Sequence, residues 1–239
     1  MGKYLLSLFF MVNLFGALAQ WSEIPLDEYT KIIEEIEQKI PRGTSYSYQA
    51  KYSFFEEAQS TDTIQSFDFS CTYNAKQQLF NIKQFEHEII QNNEIQIICD
   101  QEYRQIVVNK PIDEFFNIGS MSKIMSNEVK GLKKQTKGKI QIFSIEFIDG
   151  HRFKSAEIWV NEYGMICKYI LFTADTIVDD TLGNERLIHP RMEIQYFNYK
   201  QGKVVEELKL KTVDFYFLNL TQKLLNQDYK DFEIIDLRN

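Results

Sequence analysis

Three histidines, three cysteines and a scatter of carboxylates are the residues of this chain that could do chemistry. His87, His151 and His189 lie far apart, and neither H-E-x-x-H nor a paired Cys-x-x-Cys accompanies them. The spacing that gathers zinc ligands is therefore missing, and no metal site is expected. No G-x-S-x-G, Gly-rich phosphate loop or EF-hand spacing occurs either. Glu56-Glu57 and Asp179-Asp180 are adjacent acids with nothing to tune their environments apart. The acidic stretch 175–185, with Asp175, Asp179, Asp180 and Glu185, reads as a loop, either solvated or cation-binding. No catalytic residue and no cofactor is assigned, and the chain is expected not to be an enzyme. Cys71, Cys99 and Cys167 make an odd count, so at least one has no partner within the chain. Each falls in phase with apolar strand neighbours, which favours a small buried hydrophobe over a reactive thiol. One disulfide between two of them stays open.

Ring surface, by contrast, is abundant: 19 Phe and 13 Tyr. In YSYQAKYSFF, residues 46–55, Tyr46, Tyr48, Tyr52 and Phe54 alternate, with Ala50 keeping the phase. Strand side chains alternate between two faces, so these rings share one face and the mostly polar residues share the other. Such a face either fills a core or lines a cavity for an apolar ligand. Phe67, Phe69 and Tyr73 repeat the pattern, as do Ile158 with Val160 and Met192 with Ile194 and Tyr196. Between residues 111 and 132 the period of two is lost. Ile112, Phe115, Phe116, Met121, Ile124, Met125, Val129 and Leu132 fit helical spacing there, and two flexible thioethers recur at adaptable apolar surfaces. That insert is core filler or a movable lid.

The elements that would position these residues are strands. Leu26, Tyr29, Ile33, Ile36 and Ile40 first mark an amphipathic helix over about 25–40, with Asp27 and Glu28 in its first turn. Strands are expected at about 44–56, 63–74, 78–91, 94–99 and 103–109, then 140–148, 152–161, 165–174 and 187–199, joined by short turns. KGLKKQTKGK, 130–139, reads as a basic loop, either solvated or touching an anionic surface. Beyond about 203, short strands at 213–218 and 232–237 or a helix near 220–225 all remain open. Asn219-Leu220-Thr221 matches a glycosylation sequon. The fold class expected is mainly β (α+β): a strongly curved antiparallel sheet forming an incomplete barrel. An N-terminal helix and the mid-chain helical insert would cover its open concave side.

The start of the chain addresses it. Lys3, an apolar run over 4–18 and Ala17-Leu18-Ala19 have the form of a secretory signal peptide cut after Ala19. The run is short for a membrane span, which needs about 20 apolar residues. One domain over 20–239 is expected, exported to the periplasm. With 27 basic and 34 acidic residues the formal charge is −7, and loss of Lys3 makes it −8. An acidic chain with no dense basic stripe does not suit nucleic acid.

The order of elements resembles the periplasmic lipoprotein carriers of the Lol system, the LolA-like proteins and their superfamily. The likeness is carried by IQIICDQEYRQIVVNKP (95–111), by FSIEFIDGHRFKSAEIWVNEYGMICKYILF (143–172) and by PRMEIQYFNY (190–199), and it spans about 21–200. The resemblance implies a half-barrel whose concave apolar side holds acyl chains. It further implies a soluble carrier that accepts lipoproteins from a membrane transporter and passes them to an outer-membrane acceptor. An early-strand Arg latches the lid in that family. Lys51 is the basic residue available here and its phase sets it opposite the rings, so no latch is assigned. The lipid-binding residues expected are Tyr46, Tyr48, Tyr52, Phe54, Phe67, Phe69, Phe115, Phe116, Met121, Ile124, Met125, Ile194 and Tyr196. The chain is expected to act as a monomeric carrier of lipid or lipoprotein acyl chains. The alternative is a same-fold envelope sensor that binds a lipoprotein or a regulatory protein.

Overall fold

Alternating strands have to find partners, and in this chain nearly all find them in one sheet. The computed structural model describes residues 20–39, 44–112, 128–179, 185–202 and 231–238. Within them run β1 (Ser22–Glu23), α1 (Leu26–Gln38), β2 (Tyr46–Phe55), β3 (Gln65–Asn74) and β4 (Leu79–Gln84). There follow β5 (His87–Gln91), β6 (Gln96–Asp100), β7 (Gln105–Asn109), β8 (Val129–Lys137), β9 (Ile140–Phe147) and β10 (Phe153–Val160). The last are β11 (Ile166–Thr173), β12 (Thr176–Asp179), β13 (Glu185–Ile188), β14 (Arg191–Gln201) and β15 (Glu233–Asp236). Thirteen strands form a single sheet in the order β1-β8-β9-β10-β11-β14-β2-β3-β4-β5-β6-β7-β15. Neighbours are antiparallel except β15, which runs parallel to β7. The sheet is curved and does not close into a barrel. β12 and β13 pair only with each other, as a separate two-stranded arm.

α1 forms where the three-and-four spacing placed it, ending two residues short of the expected limit. Tyr29 and Ile33 are buried, and Ile32 and Ile36 pack beside them. Its face lies on Leu132, Phe143, Ile145, Phe147, Ala156, Ile158, Val160, Tyr169, Leu171 and Ile194 of β8, β9, β10, β11 and β14. Tyr29 meets Phe143 edge to face at 6.2 Å. Past the helix end, Lys39 Nζ donates to the Tyr163 carbonyl at 3.0 Å, which ties α1 to the turn between β10 and β11. Gly164 closes that turn at φ 69°, a conformation glycine adopts without a steric penalty.

A second core lies on the opposite face of the same sheet. Residues directly opposite across a ladder share a side, so the pairs Ile90↔Ile97, Ile97↔Val108 and Cys99↔Ile106 gather on one surface. With Leu79, Ile95 and Phe232 they form an apolar cluster on the side away from α1.

Several expectations need correction. The strand expected over 78–91 is a hairpin, because Phe85 adopts φ 53° between β4 and β5. The basic loop 130–139 is mostly strand β8: Lys130, Lys133, Lys134 and Lys137 lie on it, with Lys139 in the turn to β9. Next to the edge strand β1, such lysines can reach solvent while the backbone pairs. Val129 and Leu132, expected on a helix, also lie on this strand, and α1 is the one helix among the described residues. The remainder of the expected insert, with Phe115, Phe116, Met121, Ile124 and Met125, lies outside the described residues, as do the signal peptide and the sequon. The acidic loop holds β12 and the start of β13, and the strand expected over 187–199 is split at His189-Pro190. In the tail the expected strand at 232–237 is present as β15, whereas 213–218 and 220–225 lie outside the described residues.

Candidate functional site

Between the helix-covered strands and the second core lies a band of rings on the α1 side of the sheet. Register puts them there. Tyr46 stands opposite Tyr73, Tyr48 opposite Cys71, Ala50 opposite Phe69 and Tyr52 opposite Phe67. On the other flank of β2, Tyr196 of β14 faces Ala50 and Ile194 faces Tyr52, while Phe80 of β4 faces Tyr73. The rings touch in series. Phe85 lies 4.1 Å from Phe67, which stacks on Tyr52 at 4.9 Å and on Phe54 at 5.8 Å. Tyr52 meets Phe69 at 5.8 Å, Phe69 meets Tyr48 at 6.0 Å, and Tyr48 meets Tyr196 at 5.7 Å and Tyr46 at 6.4 Å. Tyr46 then reaches Tyr73 at 5.6 Å and Phe80 at 6.2 Å. Ten rings thus form one contiguous layer, with every separation but that of Phe67 and Phe85 in the range of attractive aromatic pairs.

Burial grades along the layer. Tyr46 and Phe80 are buried; Tyr48, Tyr52, Phe54, Phe67, Phe69, Tyr73 and Tyr196 are half-buried; Phe85 is 54% exposed. Ala50, fully buried, is the small residue among them, flanked by Phe69 and Tyr196. The layer carries no charge. Burial pushes the phenols of Tyr46, Tyr48 and Tyr196 far above their ordinary range, and those of Tyr52 and Tyr199 upwards. Burial also pushes the Cys71 thiol up to about 12, against a hydrogen bond with Tyr48 that lowers it. A thiol held neutral in this way is no nucleophile. The charged side chains of these strands, Lys51, Asp68, Lys83 and Glu193, stand across from Gln195, Lys51, Ser70 and Ser53 on the other side of the sheet.

Of the residues expected to bind lipid, Tyr46, Tyr48, Tyr52, Phe54, Phe67, Phe69 and Tyr196 come together in this layer. Ile194 lies on the same face one step towards the helix, inside the α1 core. The other five lie outside the described residues. Sequence reasoning missed Phe80 and Phe85 as part of the layer, and Tyr199 as packed against its Tyr46 end. Phe80 was legible from its alternation with Ile82. Phe85 and Tyr199 were not, because a positive-φ turn and a bulge place them. Phe55, put on the polar face, is buried under the Arg191 guanidinium at 4.0 Å. Arg191 also donates to the carbonyls of Ala58 and Ser60, which fixes the β2–β3 loop.

The remaining titratable groups are dispersed. His87 pairs with Asp100 at 3.3 Å, His151 with Glu128 at 2.8 Å and His189 with Asp175 at 2.8 Å, each at a separate hairpin. The last pair holds the Asp175 carboxyl below its usual range. Among the described residues no three His, Cys, Asp or Glu converge on a point. Cys71, Cys99 and Cys167 form no disulfide; the first two are buried, and Cys167 donates to the Trp159 carbonyl at 3.4 Å. An open hollow lined by Trp21, Glu23, Lys133, Ser144 and Glu157 lies on the other side of the sheet, with polar walls that do not suit an acyl chain. Among the described residues no helix is long and apolar enough to cross a membrane.

No family model and no curated protein matches the chain. Solved structures do. An uncharacterised conserved protein from Thermus thermophilus aligns over 87% of this chain and 99% of its own, at 9% identity and a TM-score of 0.43. A LolA superfamily protein from Nitrosomonas europaea aligns over 71% and 91%, at 10% identity and a TM-score of 0.28. A putative outer membrane lipoprotein-sorting protein domain from Vibrio parahaemolyticus aligns over 82% and 99%, at 9% identity and a TM-score of 0.32. Two of the three bear the name or the description that the sequence resemblance pointed to. At these identities and TM-scores, function has to be argued from the residues of this chain.

Proposed function

We propose that this protein is a non-enzymatic carrier. On the ten-ring layer it binds lipid or lipoprotein acyl chains and shuttles them through the periplasm towards the outer membrane. The observation that supports this is the partial cover of the layer. α1 seals the neighbouring strands, while seven of the ten rings are half-buried and Phe85 is more exposed than buried. Contiguous half-exposed apolar surface is costly in water and marks a binding site. Each methylene laid against such a surface contributes about 0.8 kcal/mol, so a ten-carbon stretch supplies about 8 kcal/mol before ordering costs. Uptake and release then require no bond to be made or broken.

The test is native mass spectrometry of the mature protein purified from an envelope fraction, beside Tyr52→Asp and Phe67→Asp. The carrier reading expects co-purified lipid in the parent and none in the variants, which keep their far-UV circular dichroism. Lipid-free parent protein, with variants that merely unfold, would sink it. A transfer assay between two vesicle populations separates the carrier from the envelope sensor. The sensor reading draws on a different feature. Ile177 and Leu187 are cross-strand partners on the β12–β13 arm and remain 65% and 53% exposed.

A further inference from the structure

Among the described residues, one polar atom against the apolar band has no protein partner. The Tyr199 hydroxyl has no accessible surface and makes no hydrogen bond. Its position depends on a defect in β14. Phe197 pairs with Gln49 and the next pair is Lys200 with Ser47, so β14 carries one residue more than β2 between those rungs. Asn198 takes up that residue at φ 53°. Such a bulge reverses the alternation beyond it. Phe197 therefore stays on the outer face, 40% exposed, while Tyr199 turns inwards against Tyr46, Cys71 and Phe80. Regular pairing would have left Tyr199 on the outer face, where water reaches its hydroxyl.

We propose that Tyr199 is a specificity residue whose hydroxyl donates to a neutral carbonyl oxygen of the bound apolar molecule, so that the band prefers acyl esters to ethers or free fatty acids. This rests on the carrier reading above. A buried donor left unmade is expensive, and that expense is recovered when a ligand brings an acceptor. The acceptor has to be uncharged. Lys51, Lys83 and Lys200 stand across the sheet from the rings, so a carboxylate entering the band would lose its hydration without gaining a counter-charge. An ester carbonyl meets both conditions, and an ether oxygen is the weaker acceptor.

Three C12 probes test this on the full mature chain: methyl laurate, dodecyl methyl ether and laurate, each competed against a fluorescent apolar dye. Wild type is expected to bind the ester roughly tenfold tighter than the ether, equivalent to about 1.4 kcal/mol, and laurate more weakly than the ester at pH 8. In Tyr199→Phe the ester should fall to the affinity of the ether, with the ether unchanged. The melting temperature of that variant should be equal or higher, since it loses only an unpartnered group. Equal binding of ester and ether by wild type overturns the inference alone. So does a preference that survives in Tyr199→Phe, or a lowered melting temperature showing that the hydroxyl already serves the fold. If wild type binds none of the probes, the carrier reading falls and takes this inference with it.

Discussion

The two ends of this sheet bury opposite faces. In β9 the apolar residues alternate from Phe143 onwards: Phe143, Ile145 and Phe147 point to α1, Ser144 and Glu146 point away, and Ile142 before them is buried on that other side. In β5, β6 and β7 they come in adjacent pairs: Ile89 with Ile90, Ile97 with Ile98, Val107 with Val108. There the fully buried members, Ile90, Ile97 and Val108, lie on the side away from α1. Their neighbours Ile89, Ile98 and Val107 stay half-buried on the α1 side. The aromatic band occupies the seam, on a face that one core no longer covers and the other core does not use. A sheet that changes its buried side must leave apolar surface at the crossing. In this protein that surface is made of rings.

The contrast can be broken most strongly at its helix end. Phe143→Ala removes a fully buried ring beneath α1 and should cost about 3–5 kcal/mol in urea unfolding, enough to threaten the fold. Ile97→Ala in the second core should cost about 2–4 kcal/mol. A loss much smaller than that would mean the second core is loose and the sheet has one true core. At the seam Tyr52→Ala should cost less, about 1–2 kcal/mol, because its ring is half-buried and makes two ring contacts. Its larger effect should be on lipid occupancy. Equal stability losses at Tyr52 and Phe143 would show that the band is ordinary core.

Alkali sharpens the same distinction. The folded chain holds the Cys71 proton up to about pH 12, whereas the unfolded thiol releases it near 9.0. Phenols in the band are raised in the same direction. This stabilising contribution is complete below about pH 9 and is lost as pH rises towards 12, because the unfolded state then binds fewer protons. Alkylation of Cys71 by iodoacetamide should accordingly remain slow at pH 9, where an accessible thiol reacts freely. The smallest effect is expected on the outer edge. Lys130→Ala breaks exposed pairs with Glu146 and Asp149 and should change stability by less than about 0.5 kcal/mol.

Most of the fold was legible where the period of two ran unbroken, as in β2 and β3. The misses fall on bulges and on turns without glycine. An extra residue at Lys130 shifts β8 against β9 and obscured the strand behind its lysines. Another at Cys167 lets Ile166 pack against the α1 core, so that Cys167 is only half-buried although its phase suggested burial. The third, at Asn198, turns Tyr199 inwards. Phe85 adopts a left-handed conformation that glycine or asparagine would have signalled. Phase counting presumes that every residue advances the strand by one step, and a bulge violates that presumption without a reliable mark in the residues around it.

The sequence by itself determined the helix, the strands and the aromatic character of one face, because these follow from local periodicity and from which residues shun water. Only the tertiary structure decided that β14 lies between β11 and β2, that ten rings from four strands and one turn form a single layer, and that the buried face changes sides along the sheet. Those outcomes depend on register and on which strands meet. Pairing energies between residues more than 100 positions apart, such as Tyr52 and Ile194, leave no trace in the neighbourhood of either.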